Sequence, residues 1–177
     1  GSDNKLLFHI KKDMEFFKNS TMGGIVIMGS KTFSSMDCRP LKGRINIVLT
    51  RNPEKFIPLA GFLKPDPDMG KIYFIVPSSI DEILKGIKRI ALYEKIPDDH
   101  IWVIGGEKVY NNLIDYCSEA VVTHVSVGGH GANKSFPDLS KKESWIKENT
   151  DVWDEAVSLL TYKNTDPKSE LGLFHVK

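Results

Sequence analysis

The chain has no apolar run long enough to cross a bilayer, so no transmembrane helix and no membrane partner are expected. Cysteine is scarce. Cys38 and Cys117 are the only two among 177 residues, and neither stands in a Cys-x-x-Cys or Cys/His spacing. That leaves no basis for a disulfide framework or a metal site, and two unpaired thiols fit a reducing cytoplasm. The histidines His9, His100, His124, His130 and His175 are scattered, without ligand spacing. Neither charge dominates: 24 basic against 23 acidic residues leave a net charge of +1, where a dedicated nucleic-acid binder would carry a basic excess. The basic spots at Lys11, Lys12, Lys85, Lys88 and Arg89 read as solvated helix faces. There is no signal peptide, internal repeat, low-complexity tract or linker to read. Both common nucleotide fingerprints, the Walker sequence and Gly-x-Gly-x-x-Gly, are missing.

What remains is a chain of single-domain size with ordinary composition, 41% hydrophobic and 27% charged. Ile10, Met14 and Phe17 recur at helical spacing and predict a helix over 9–19, with Asp13 beside the stripe. Apolar runs at 25–28 and 45–50 predict buried strands, the first covered on both faces, and further strands are expected at 71–76 and 101–106. A short helix is expected from Ser30. A capped helix should span 78–95, another 107–116, and a strand 119–127. Prolines and glycines mark loops at 38–44 and 52–70, and glycines a loop at 128–135. Two late strands are expected near 155–163 and 171–177. Strands alternating with helices, then consecutive strands, predict an α/β sheet that is mostly parallel with an antiparallel end.

Two junctions share one grammar. In "GGIVIMGSKTF" and in "IWVIGGEKVY", a buried strand leaves through glycine directly into a helix. Glycine lets backbone approach a ligand, and the first helical amides have no internal partners, so such corners suit phosphate. An unliganded tight turn is the ordinary reading of either corner alone. The pair, with Thr50-Arg51 closing a third strand, points towards a nucleotide. Asp13 lies between Phe8 and Phe17, where desolvation would raise its pKa; a solvated first-turn aspartate is the competing reading. Arg39 and Arg44, in a Pro-Gly turn, could grip a carboxylate bidentately or simply face solvent.

Taken together, "NKLLFHIKKDMEFFK", "VIMGSKTF", "RPLKGRINIVLTR" and "WVIGGEKVY" resemble the dihydrofolate reductase family, and "EAVVTHVSV" followed by "SFPDL" continues the likeness. It covers residues 1 to about 139 well and the remainder loosely. It implies a single α/β domain over 1–177, with a central mostly parallel sheet flanked by helices and antiparallel C-terminal strands. It implies NADPH-dependent reduction of 7,8-dihydrofolate to tetrahydrofolate, by hydride transfer to C6 with protonation at N5. A monomer that also binds antifolates is the expected form. Asp13 matches the family's active-site acid and Thr123 the threonine that steadies it. Phe8, Phe17, Met36, Leu41, Ile104 and Tyr110 match walls around the substrate rings. Arg44, with Arg39 nearby, matches the grip on the glutamate carboxylate. Asn4 and Leu6 match contacts near the nicotinamide. Gly29, Ser30, Lys31 and Thr32 match the first dinucleotide corner, and Thr50 and Arg51 the adenosine end. Ile104, Gly105, Gly106, Glu107, Lys108, Val109 and Tyr110 match the second corner, whose glycines the family joins by a cis bond.

This sequence departs from the family at Lys11, where proline is usual, at Ser30, where a basic residue is usual, and at Asn133, where an acid is usual. The family also has a further segment ahead of Gly1 that forms a central strand. Its slot is expected to be unpaired, filled by another segment, or filled by residues ahead of Gly1. Competing functions are a related pterin or flavin-precursor reductase and an inactive folate- or nucleotide-binding protein of the same fold.

Overall fold

The computed structural model describes residues 10–56, 70–126 and 136–168, and the backbone of 173–176. Helix α1 (Lys11–Thr21) leads into β1 (Ile25–Gly29), α2 (Ser30–Ser35) and β2 (Ile45–Leu49). Then come β3 (Lys71–Ile75), α3 (Ile80–Glu94), β4 (Ile101–Gly105) and α4 (Glu107–Leu113). Strands β5 (Glu119–Val125), β6 (Trp145–Val152), β7 (Val157–Asn164) and β8 (Leu173–Val176) follow, with no α-helix between them among the described residues. All eight strands form one sheet in the order β3-β2-β1-β4-β8-β5-β7-β6.

Strands β1 to β4 pair in parallel, and β5, β7 and β6 pair antiparallel in sequence. The apolar runs are strands for the reason anticipated: both faces are covered. Ile25 and Ile27 turn to a cluster with Ile83, Ile87 and Leu113 beneath α3 and α4. Val26 and Met28 turn to a second cluster with Phe33, Val48 and Trp102, joined by Phe16 of α1. Helix α3 begins where Ser79 Oγ accepts the Glu82 amide, and it buries Ile83, Leu84, Ile87 and Ala91 at helical spacing.

Three expectations need correction. The antiparallel end is β5–β7–β6, and β6 was not delimited from the sequence because its exposed residues give no strand periodicity beyond Trp145. The last strand does not extend that end. It runs parallel to both β4 and β5 and sits between them, filling an interior slot of the sheet. The helix expected over 107–116 ends at Leu113 and tightens into a 3-10 turn over Ile114–Tyr116.

The turn between α2 and β2 is held by one buried side chain. Asn46 Oδ1 accepts the Leu41 amide at 2.8 Å, and its Nδ2 donates to the carbonyls of Leu41, Arg44 and Lys71 at 3.0–3.2 Å. Replacing Asn46 by alanine strands buried backbone groups, so chemical denaturation should show a loss of about 2–3 kcal/mol. An unchanged midpoint would mean that the turn is held by other contacts.

Candidate active site

Asp13 occupies the first turn of α1, yet it is only 4% exposed. The solvated reading therefore fails. Its carboxylate is met from across the fold: Thr123 Oγ1 donates to Asp13 Oδ1 at 2.5 Å. Strand alternation makes this possible, turning Thr123 inwards and leaving His124 exposed on the opposite face. A third residue shares the space. The Tyr110 hydroxyl is held well above the usual tyrosine range, first by burial and then by the negative charge of Asp13. Its ring meets Phe136 edge-on at 5.0 Å. Directly beneath lies Gly105, where an added Cβ would come within 3.1 Å of the Tyr110 hydroxyl oxygen.

The two glycine corners touch. A Cβ on Gly29 would stand 3.1 Å from Val109 Cγ2 and 4.0 Å from the Gly105 carbonyl oxygen, and one on Gly106 would stand 3.4 Å from Thr32 Oγ1. Gly105 has φ +122°, and the Gly105–Gly106 peptide is cis, as the resemblance implied. Pairing between β1 and β4 slips here: Met28 pairs with Gly105, and Ile104 bulges. Such a bulge re-aims the chain beside a site. Helices α2 and α4 open on Gly29 and Gly106 without a side-chain cap. Thr50, buried, caps the turn after β2 by accepting the Asn52 amide at 3.1 Å, and Arg51 is exposed next to it. Lys31 and Lys108 are also exposed, while Ser30, Thr32 and Glu107 are half-buried. The corners and Thr50-Arg51 all lie at the carboxyl ends of β1, β4 and β2. In open α/β sheets the ligand crevice forms along that edge.

Arg44 is 7% exposed despite standing in a turn. Its Nη1 donates to Thr21 Oγ1 at 3.2 Å and its Nε to the Lys42 carbonyl at 2.8 Å. The guanidinium lies over the Phe17 ring at 5.9 Å, and burial lowers its pKa. It borders an open depression of about 510 Å³ that Lys18 and Lys42 also line. Arg39 is exposed. Met36 and Leu41 pack half-buried against the Val26–Met28 cluster beside Ile104. Asn4, Leu6, Phe8 and Asn133 lie outside the described residues.

Sequence reasoning passed over three contributors. Thr21 orients Arg44 while its hydroxyl donates to the Phe17 carbonyl at 2.8 Å; its four-residue spacing from Phe17 was the available signal. Trp153 packs on Phe16 with Lys12 over its ring, and Phe136 braces Tyr110. Both aromatics reach the region through tertiary contacts alone.

Among the described residues no group of His, Cys, Asp or Glu could hold a metal, and no helix is long and apolar enough to cross a membrane. A family model described as dihydrofolate reductase matches residues 1–163. The chain belongs to the dihydrofolate reductase family. It is 46% identical over 151 residues to a dihydrofolate reductase of Neisseria gonorrhoeae, covering 85% of this chain and 79% of that protein. It is also similar to a bifunctional dihydrofolate reductase-thymidylate synthase of Paramecium tetraurelia, 28% identical over 129 residues, covering 72% of this chain and 23% of that longer protein. A solved Enterococcus faecalis dihydrofolate reductase, complexed with NADP(H) and RAB-propyl, has 29% sequence identity to this chain. That match has a TM-score of 0.66 and covers 94% of this chain and 89% of the other. The sheet, its helices and the antiparallel β5–β7–β6 end are thus the reductase fold.

Gly105→Ala should weaken NADPH binding by at least ~10-fold, since a side chain at φ +122° is strained and its Cβ would press on the Tyr110 ring. Fluorescence titration measures this, and an unaltered affinity would remove the second corner from the cofactor site.

Proposed function

We infer that this protein is an NADPH-dependent dihydrofolate reductase, with Asp13 and Thr123 at the reacting end of the substrate. The observation that carries the reading is the buried Asp13 carboxylate, fixed by Thr123 and sharing its surroundings with Tyr110 and the diglycine corner.

The residues present suit both ligands. The touching corners offer backbone with no side chain in the way. Lys31 and Arg51 supply the charge that a dinucleotide's 2′-phosphate needs, which offsets Ser30 at a position usually basic. Bound NADPH supplies a hydride. Asp13 holds the pterin's amino group and ring nitrogen through its carboxylate, and Thr123 prevents the carboxylate from rotating away. That arrangement favours the ring as N5 gains its proton. Tyr110, Ile104 and Phe17 exclude water from the space between the rings, and a drier site strengthens each polar contact. Met36 and Leu41 wall the substrate's middle. Arg44 is pre-aimed by Thr21, Lys42 and Phe17, so little side-chain entropy is lost when it meets the substrate carboxylate. Lys18 and Lys42 make the surroundings of that carboxylate basic. Antifolates of the same flat, carboxylate-tailed shape would occupy the same space.

The reading takes residues 1–177 as one domain acting as a monomer in the cytoplasm. It is supported by a single continuous sheet and by two unbridged cysteines, Cys38 and Cys117.

Two substitutions test the assignment. Asp13→Asn should lower the rate of NADPH oxidation with dihydrofolate by about 100-fold or more, with NADPH affinity within about 3-fold of the parent. Retained turnover would exclude Asp13 from the mechanism. Arg44→Leu should raise KM for dihydrofolate by about 10–100-fold with little change in kcat, the expected cost of a lost charge-assisted pair. A loss confined to kcat would mean that the arginine does not read the substrate's carboxylate.

A further inference from the structure

The last turn of a helix leaves carbonyls with no partner inside the helix. In α1 two of these are met locally: the Lys18 carbonyl accepts the Met22 amide at 3.1 Å, and the Thr21 carbonyl accepts the Gly24 amide at 2.9 Å. The Ser20 carbonyl is met from 80 residues away, by His100 Nε2 at 3.2 Å. A carbonyl can only accept, so Nε2 carries the hydrogen. The half-buried His100 closes the short 3-10 turn Asp98–His100 directly ahead of β4, and Gly24 stands directly ahead of β1. The ring lies on the Gly24 backbone. A Cβ there would come within 2.5 Å of His100 Cδ2 and 2.6 Å of the His100 carbonyl oxygen, closer than side-chain carbons approach, so only glycine leaves room for this contact.

What the bond holds is the carboxylate-reading end of the site. Thr21, the residue after Ser20, is fully buried. Its hydroxyl accepts from Arg44 Nη1 at 3.2 Å and donates to the Phe17 carbonyl at 2.8 Å. The Gly23 amide donates to the Gly43 carbonyl at 2.9 Å, which joins this end of α1 to the turn that carries Arg44. Helix α1 is therefore fastened to the sheet by Thr123 at its first turn and by His100 at its last. About two helical turns separate Asp13 from Ser20, so loosening the last turn reaches Arg44 before it reaches Asp13.

We propose that His100 is a positioning residue for recognition of the substrate's tail. Its hold on Ser20 keeps Thr21 against Arg44 and so sets the affinity for the tail carboxylate, while the chemistry at Asp13 is untouched. The inference rests on the reductase reading and adds to it a residue that meets neither substrate nor cofactor.

Steady-state kinetics of the full chain with two substrates test it: dihydrofolate, and 6-methyl-7,8-dihydropterin, which has the ring without the carboxylate tail. His100→Ala should raise KM for dihydrofolate by about 5–10-fold, the size of one lost hydrogen bond, with kcat within about 2-fold of the parent. Turnover of the tail-less ring should match the parent, which also shows that the variant is folded. His100→Gln, whose amide nitrogen can donate in place of Nε2, should bring KM back to within about 2-fold of the parent. His100→Leu keeps bulk against Gly24 and loses the donor, and should behave as His100→Ala does. Added to Arg44→Leu, His100→Ala should change KM by less than about 2-fold, because both act through one group. The proposal is overturned if His100→Ala and His100→Leu leave KM for dihydrofolate unchanged, if they impair both substrates equally, or if the effect adds in full to that of Arg44→Leu. An inactive parent protein would overturn the reductase reading and this role with it, whereas those outcomes in an active parent remove only the role of His100.

Discussion

The hydrogen bond from Thr123 to Asp13 is the contact on which the rest of the site depends. It joins residues 110 apart in the chain, one on the opening helix and one on the fifth strand. A carboxylate at 4% exposure is costly unless its oxygens are met by donors. A hydroxyl that donates to an ionised oxygen is among the stronger single contacts a protein makes, about 1.5–3 kcal/mol. Once Asp13 is so tied, α1 cannot slide over the sheet. The position of Phe17, Lys18 and Thr21 farther along the helix is then fixed as well. The same helix thus presents its acid at one end and the support for Arg44 at the other.

Parallel strand order does the second part of the work. Because β1, β2 and β4 run side by side in one direction, their glycine and threonine endings fall along one edge. The two corners could have been separate turns with nothing bound. Instead they are in contact, Gly29 against Val109 and Gly106 against Thr32, and a side chain at Gly29 or Gly105 would crowd its neighbours. The bulge at Ile104 gives the second corner its angle. Elsewhere a single buried amide, Asn46, binds the turn that delivers Arg44 to the start of the third strand. Each functional group is therefore held by a residue with no chemistry of its own.

Much of this was legible in the residues. Continuous apolar runs, the Ser79 cap and the glycine corners each encode local geometry, and that geometry is what formed. Asp13 was legible as a candidate, but its residues alone favoured a solvated helix acid, because burial is not a local property. Arg44 was equally ambiguous, since a turn arginine is usually exposed and only the stacking on Phe17 and the bond to Thr21 withdraw it. Strand β6 could not be delimited because its side chains are mostly exposed and leave no alternation to read. Trp153 and Phe136 gave no signal, as each meets its partner from a distant part of the chain.

The sequence by itself determined the strands, the helices, the two glycine corners and the residue types able to do the chemistry, because these follow from periodicity and backbone freedom within a few residues. Only the tertiary structure decided that Asp13 is buried against Thr123, that the two corners meet, and that a strand from after β7 lies in the interior of the sheet. Those outcomes depend on which backbone edges and polar atoms would otherwise be left unpaired, and that is settled between segments far apart in the chain.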